Sequence, residues 1–462
     1  MADSANARML ELTKIIAAKT TLVCSPPADR PDAAEALKKA RLELIDATDE
    51  LNNLAKDPKE VLQSLAWSVS LRSSVELLVV QILGLVSCYP CSIIYSSRCS
   101  RFTHYSEYPY RNTNTNPHQH TTSFTIHYIT RFNIAASVPE HEAISLTTLA
   151  SLTKTNEITL QRILRHCMIN HIFREPTKGF IAHSPASLLL RTNPPSIAWA
   201  SMMPDDYWPI TTHAVDAIEK WPQSSEPTET AVTLAHGTDS FYLYLGKFPQ
   251  KAARFGMAMT GFSSGPGLEF ETLATHYPWQ DLPTGSTVVD VGSGIGFVSV
   301  AIAQVHPSLK FVCQDLPSTI AAAAEQIPAD VKDRITFQGH DFLTPNPVIG
   351  AAVYFFRFIF HNWSDVYCIR ILQALIPALK PGSRVLIIDT ALPEQGEMSR
   401  WEERTLRDLD MTMLTLLNAR EREVAEFRML FEKADRRFKW VGASLPPGSK
   451  MWEIEAVWEP EG

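Results

Sequence analysis

The chain has 462 residues, 45% of them hydrophobic and 20% charged, with a formal net charge of −8. That is an ordinary globular composition with enough length for more than one domain. The acidic balance and the lack of a Lys/Arg-rich block weigh against a nucleic-acid partner. Seven scattered cysteines form neither a disulfide ladder nor a zinc pattern, the tightest group being Cys88, Cys91 and Cys99. A reduced, cytoplasmic protein is therefore expected.

Residues 1–76 read as helices. Leu10, Ile15, Ala18 and Leu22 follow a rough helical period interrupted by Glu11, Lys14 and Lys19. This is the pattern of an amphipathic helix, not of a signal peptide. Residues 77–97, LLVVQILGLVSCYPCSIIYSS, carry no charge and have the length of a membrane span. Gln81, Pro90 and several serines dilute the run, so no membrane segment is expected. Residues 82–125 match neither flank: they hold no lysine, a single acid (Glu107) and no sustained period. Long structureless stretches are uncommon inside compact domains. The segment is read as an anomalous insertion, in origin a retained intron, with ordered structure resuming near Ile126.

From 126 to 190 the order is short strand, helix, turn, helix and small hairpin. That order resembles a winged-helix unit, used here for packing rather than for DNA. Residues 191–275 are rich in Pro, Met and aromatics. From about 283 onward, strands alternate with helices: STVVDVGSGIGF, LKFVCQDLP, RITFQGHDF, AAVYFFRF and SRVLIIDT. This rhythm predicts an α/β fold, a doubly wound, mainly parallel sheet. The expected domains are 1–190, 191–275 and 276–462.

The first of these strands runs into Gly292, Gly294 and Gly296. Glycines permit a tight turn and a close backbone approach by a ligand. The dinucleotide fingerprint would need a glycine at 297, where Phe297 stands. The next strand ends at Asp315, an acid suited to a ribose diol. A nucleoside lacking phosphates is the implied ligand. With GHDFL (339–343) at the third strand end, the set resembles the class I S-adenosylmethionine-dependent methyltransferases. The resemblance places Asp341 and Phe342 beside adenine and implies S-adenosyl-L-methionine as cofactor.

RFIFHNWSD (357–365), followed by VLIID (385–389), is similar to the plant caffeate/flavonoid-type and fungal secondary-metabolite O-methyltransferases. In that family the N-terminal part, helical and winged-helix, forms the homodimer, and a Rossmann-like catalytic domain follows it. The resemblance makes His361 the general base, oriented by Asp389 and by Glu421 in NARERE (418–423). The family pattern around that acid is G-K-E-R-T. Here Ala419 stands for the glycine and Glu423 for the threonine, and Asn362 replaces the usual Asp of H-D-W. Arg357 stands where a Lys contacts the cofactor. Phe255 and Met259 in RFGMAM, with Met413 in DLDMTML, are the implied wall for a small hydroxylated aromatic acceptor. No metal is expected. Two other readings are carried: a cofactor-binding regulatory protein without turnover, and a winged-helix DNA binder.

Overall fold

The computed structural model describes residues 2–24, 33–56, 59, 61 and 119–459, except 238–239, 264, 266, 322–326, 395 and 399. The chain divides into two compact units, Met1–Asp205 and Asp206–Gly462.

The first unit opens with helices Ala2–Cys24 and Ala33–Leu54. Leu12 and Ile16 pack with Leu44 and Ala47 in a small buried cluster. Arg8 bridges the pair through Nε and Nη2 to the carboxylate of Glu50, at 2.7 and 2.8 Å. Helix Gln119–Arg131 follows. It begins at least seven residues before the point where composition places the return to order. Ser, Thr and His give no apolar period to read, yet Thr125 is buried, with Oγ1 on the Thr122 carbonyl (3.0 Å) and beside His166 Nδ1 (3.2 Å). The rest of the set-apart segment, and the whole of the uncharged run 77–97, lie outside the described residues.

Beyond that helix a short helix, Ile134–Ser137, precedes the elements read from sequence. Strand β1 (Ile144–Ser145) leads into helix Leu146–Thr153, helix Glu157–Ile169, β2 (Arg174–Thr177) and β3 (Phe180–Ala182). Both helix starts are capped: Ser145 Oγ accepts from the Thr148 N–H and Asn156 Oδ1 from the Thr159 N–H. The three strands form an antiparallel sheet in the order β1-β3-β2. Ile126, Ile129, Leu149, Leu160, Leu164 and Ile181 fill the space between helices and sheet.

The second unit is built on a seven-stranded sheet. Its strands are β4 (Thr287–Val291), β5 (Lys310–Asp315), β6 (Ile335–Gly339), β7 (Val353–Arg357), β8 (Arg384–Asp389), β9 (Phe438–Ser444) and β10 (Trp452–Trp458). The order is β6-β5-β4-β7-β8-β10-β9. The first five are parallel to one another; β10 and β9 add antiparallel. Side chains alternate between two buried faces. Val289, Val291, Val385 and Ile387 join Leu372, Phe427 and Phe431 on one side. Val288, Leu386 and Ile388 join Ile302, Ala303 and Trp279 on the other. Covering both faces with helices is what makes these strands read as unbroken apolar runs. Each such side chain contributes roughly 1.5–3 kcal/mol of burial. Among the described residues no helix is long and apolar enough to cross a membrane.

Candidate functional site

The parallel strands all end at one edge of the sheet, and the residues singled out from sequence follow those ends. After β4 the chain turns through Gly292, Gly294 and Gly296, with φ of 77°, 57° and 84°. A Cβ on Gly292 would stand 2.3 Å from Ile359 Cδ1, whereas one on Gly294 would meet nothing within 4 Å. Gly292 is thus fixed by packing and Gly294 borders open space. The Gly294 N–H donates to Asp315 Oδ2 (2.9 Å), and the Leu316 N–H to Asp315 Oδ1 (2.7 Å). A carboxylate has about four acceptor positions, so Asp315 keeps capacity for the two hydroxyls of a ribose.

Asp315 pairs with Gly339 across β5 and β6, which brings the GHDFL turn alongside. Phe342 lies near the glycine turn: its ring would be 3.8 Å from a Cβ on Gly292. It also meets Trp363 edge-on at 5.7 Å. Asp341 is exposed, and its Oδ1 accepts from the Leu343 N–H (3.0 Å). A glycine cradle with open space, an under-used carboxylate and an aromatic face together fit an adenosine. Beneath them Asp290 is buried and accepts from Ser299 Oγ (2.8 Å). Burial first, and the charge of Asp315 further, push its carboxyl up to about 7.

Arg357 ends β7. Its Nη2 donates to the carbonyls of Ser263 (3.2 Å) and Leu268 (2.6 Å), and its guanidinium lies 4.8 Å from the Phe358 ring. The hydrogen bonds therefore tie β7 to the turn after helix Pro249–Ser263. Burial lowers its pKa to about 10, against the opposing pull of Asp290 and Asp389.

His361 follows at once, in a short 3-10 turn, and is 6% exposed. Its Nδ1 is 2.8 Å from Glu421 Oε1 and 4.0 Å from Asp389 Oδ1. Asp389, at the end of β8, accepts from the backbone N–H of His361 (3.1 Å) and of Thr390 (3.2 Å). Glu421 is fixed from both ends: Thr390 Oγ1 donates to its Oε2 (2.6 Å) and its own N–H donates to Asp410 Oδ1 (2.9 Å). Of the two acids, the one in the divergent motif is the ring's hydrogen-bond partner. Burial works against charge on His361, but the carboxylates of Asp389 and Glu421 outweigh it and raise the pKa to about 9. These three residues also form the only group of His, Cys, Asp or Glu among the described residues whose donor atoms converge, within 4.8 Å, closely enough to hold a metal.

Of the acceptor-side residues, Phe255 and Met259 are half-buried on helix Pro249–Ser263. Phe255 packs on Phe241 at 5.4 Å. Met413 is buried on helix Arg400–Leu417, which packs against residues 360–362. The ring contacts that reach His361 come instead from Phe358 (5.4 Å), itself 6.0 Å from Phe262. Sequence reading passed over both, as well as Arg422. That guanidinium is fully buried and donates to Asp365 Oδ1 (3.0 Å), the Phe360 carbonyl (2.8 Å) and the Trp363 carbonyl (2.7 Å). It clamps the turn that carries His361. The arginine of G-K-E-R-T was the signal available for it.

Residues 226–437 match the O-methyltransferase domain family. The chain is 35% identical to chlorophenol O-methyltransferase of Trichoderma longibrachiatum, over 99% of this chain and 91% of that protein. It is 43% identical to the grayanic acid biosynthesis cluster O-methyltransferase of Cladonia grayi, over 72% and 71%. Among solved structures it resembles the O-methyltransferase NcsB1 from neocarzinostatin biosynthesis, in complex with S-adenosylmethionine and 2-hydroxy-5-methyl naphthoic acid. The TM-score there is 0.60 at 23% identity, covering 73% of this chain and 96% of that one. The chain belongs to the S-adenosylmethionine-dependent O-methyltransferases of secondary metabolism.

Proposed function

We propose that the protein methylates a phenolic hydroxyl of a small aromatic secondary metabolite, with His361 as general base. The observation that carries this is the buried His361, its Nδ1 held at 2.8 Å by Glu421. That leaves Nε2 as the ring nitrogen for a proton from outside. S-adenosylmethionine, when bound, supplies an electrophilic methyl group on a positively charged sulfur. A phenol of pKa about 10 is a weak nucleophile near neutral pH. Transfer of its proton to Nε2 as the oxygen attacks contributes roughly 10²–10⁴ in rate. The imidazolium so formed is stabilised by Glu421 and Asp389. The same acids raise the pKa of His361 and favour its protonated form. A positive charge bound nearby opposes that protonation and favours the neutral base.

The remaining roles follow the same reading. Gly292, Gly294, Gly296 and Asp315 hold the ribose side, and Asp341 and Phe342 the adenine. Arg357 supports the strand end beside them. Phe255, Met259 and Met413 wall the acceptor. A phenolic acceptor is supported by the chlorophenol in one relative's name and by the hydroxynaphthoic acid bound to NcsB1. Residues 1–190 serve as a winged-helix-type dimerisation domain, with 191–275 supplying acceptor contacts and 276–462 the cofactor site. Exposed Leu152, Ile158 and Ile169 on the helices beside β1 support a homodimer. Family membership favours neither the regulatory nor the DNA-binding reading.

The test is the full chain with labelled S-adenosylmethionine and a panel of phenols. His361→Ala is expected to abolish transfer and leave cofactor affinity within a few-fold. Near-wild-type turnover in that variant would show the base to lie elsewhere. A chelator arm separates the metal reading of the same three residues: activity persists in EDTA if His361 works as a base, and is lost and restored by a divalent ion if the cluster holds one.

A further inference from the structure

Two left-handed residues flank the His361–Glu421 contact. Among the described residues from Asp206 onward, Phe358 (φ 54°) and Asn418 (φ 53°) are the only non-glycine residues with positive φ. Each stands three positions before one partner of the contact. Left-handed backbone is costly for most side chains and least so for Asn among non-glycine residues. Asn418 terminates helix Arg400–Leu417, its N–H on the Leu414 carbonyl at 3.2 Å and the next N–H, of Ala419, on the Met413 carbonyl at 3.3 Å. A left-handed residue in that place is an ordinary helix ending. Its side chain does more than end a helix. Asn418 Nδ2 donates to the carbonyls of Ser224 (2.9 Å) and Glu226 (3.2 Å). The same short segment holds the turn after His361: Ser364 Oγ donates to the Ser225 carbonyl (2.8 Å) and Tyr367 to the Glu226 carboxylate (2.6 Å). Residues 224–226 therefore touch both loops, the one bearing His361 and the one bearing Glu421.

We propose that Asn418 is a positioning residue for methyl transfer, holding the left-handed kink that sets Glu421 against His361 and tying that kink to residues 224–226. The opposite side is built alike: Asn362 Nδ2 donates to the carbonyl of Phe358 (2.8 Å), securing the kink whose ring packs on the imidazole. The groups that face His361 are Asp389, Glu421 and Arg422. Displacing Glu421 removes the hydrogen bond to Nδ1 while leaving Asp389, which holds the backbone, in place.

This rests on the reading of His361 as the base, and the experiment keeps the two apart. Full-length protein with ¹⁵N-labelled histidine is studied without substrates, the His361 signal being assigned by its absence in His361→Gln. In the wild type its Nδ1 proton resonates far downfield through the bond to Glu421. In Asn418→Ala that signal is expected to move to the ordinary imidazole range. Its kcat falls about tenfold while KM for both substrates stays within about twofold. Asn418→Gly keeps the kink but loses both bonds to residues 224–226, so kcat recovers part of the way, to above the alanine variant and below wild type, and the downfield signal returns weakened. The proposal is overturned by an unmoved signal in Asn418→Ala, by a glycine variant no better than alanine, or by loss confined to thermal stability. If His361→Ala retains turnover, the base reading fails while the histidine signal still decides whether Asn418 sets the contact.

Discussion

His361 sits between two carboxylates in a place with little water, and its proton balance follows from that. Burial alone would lower its pKa; Asp389 and Glu421 reverse the sign and carry it to about 9. A histidine raised above its usual 6.5 binds its proton more tightly in the folded state. The stability this contributes is complete below about pH 6.5 and is lost as pH rises through about 9. Asp389, pushed up mainly by burial, acts in the same sense at lower pH. Thermal unfolding of the cofactor-free protein should therefore show a midpoint that declines between pH 6.5 and 9. Glu421→Gln removes one of the charges that raise His361, so its decline should be shallower and end at lower pH. Identical pH profiles for the two proteins would mean that Glu421 does not set the protonation of the ring.

The catalytic edge is a property of elements. Strands β4 and β5 run parallel in register, Val291 opposite Gln314, so the glycine turn and Asp315 leave the sheet side by side. Strand β7 pairs with β8, Arg357 opposite Ile388, which puts His361 and Asp389 at neighbouring strand ends. Asp315→Ala should weaken S-adenosylmethionine binding by roughly 10–100-fold, because charge-assisted hydrogen bonds to two hydroxyls are lost. Asp315→Asn keeps one acceptor oxygen and should lose less. Calorimetry decides it, and unchanged affinity in the alanine variant would remove Asp315 from the cofactor site. These strands were legible because burial on both faces leaves apolar runs that stop at a glycine, an acid or a histidine. β9 and β10 were not singled out: Lys439, Glu453 and Glu455 break their apolar pattern. Glu421 was legible through a motif even where Ala419 and Glu423 depart from it. Asn418 was not, since a left-handed kink is a feature of the backbone that no spacing of residue types announces. Arg422 was legible only as the arginine of that motif; its burial comes from carbonyls 59 and 62 positions away.

At the scale of the whole molecule, one stretch has a composition that matches neither flank. The sequence reading treats all of residues 82–125 as foreign to the fold. Helix Gln119–Arg131 divides that stretch, for its first seven residues belong to a helix that packs in the core of the first unit. Thr125 is 4% exposed and one turn before Ile129, which is 1% exposed. Thr125 Oγ1 also lies 3.2 Å from His166, on the helix that packs against this one. Cutting through 125 would take away two turns of a helix and a buried contact; cutting through 118 would take neither. We propose that residues 82–118 alone are dispensable, as expected of a retained intron, and that 119–125 are part of the fold. Two deletions of the full chain, 82–118 and 82–125, should then part company. The shorter should keep or raise soluble yield, with dimerisation read by light scattering and methyl transfer retained. The longer should lower the unfolding midpoint of the first unit, because a helix that loses about half its length loses most of its cooperative stability. If the shorter deletion unfolds the protein, the segment is an evolved element. If the two behave alike, residues 119–125 add nothing to the core.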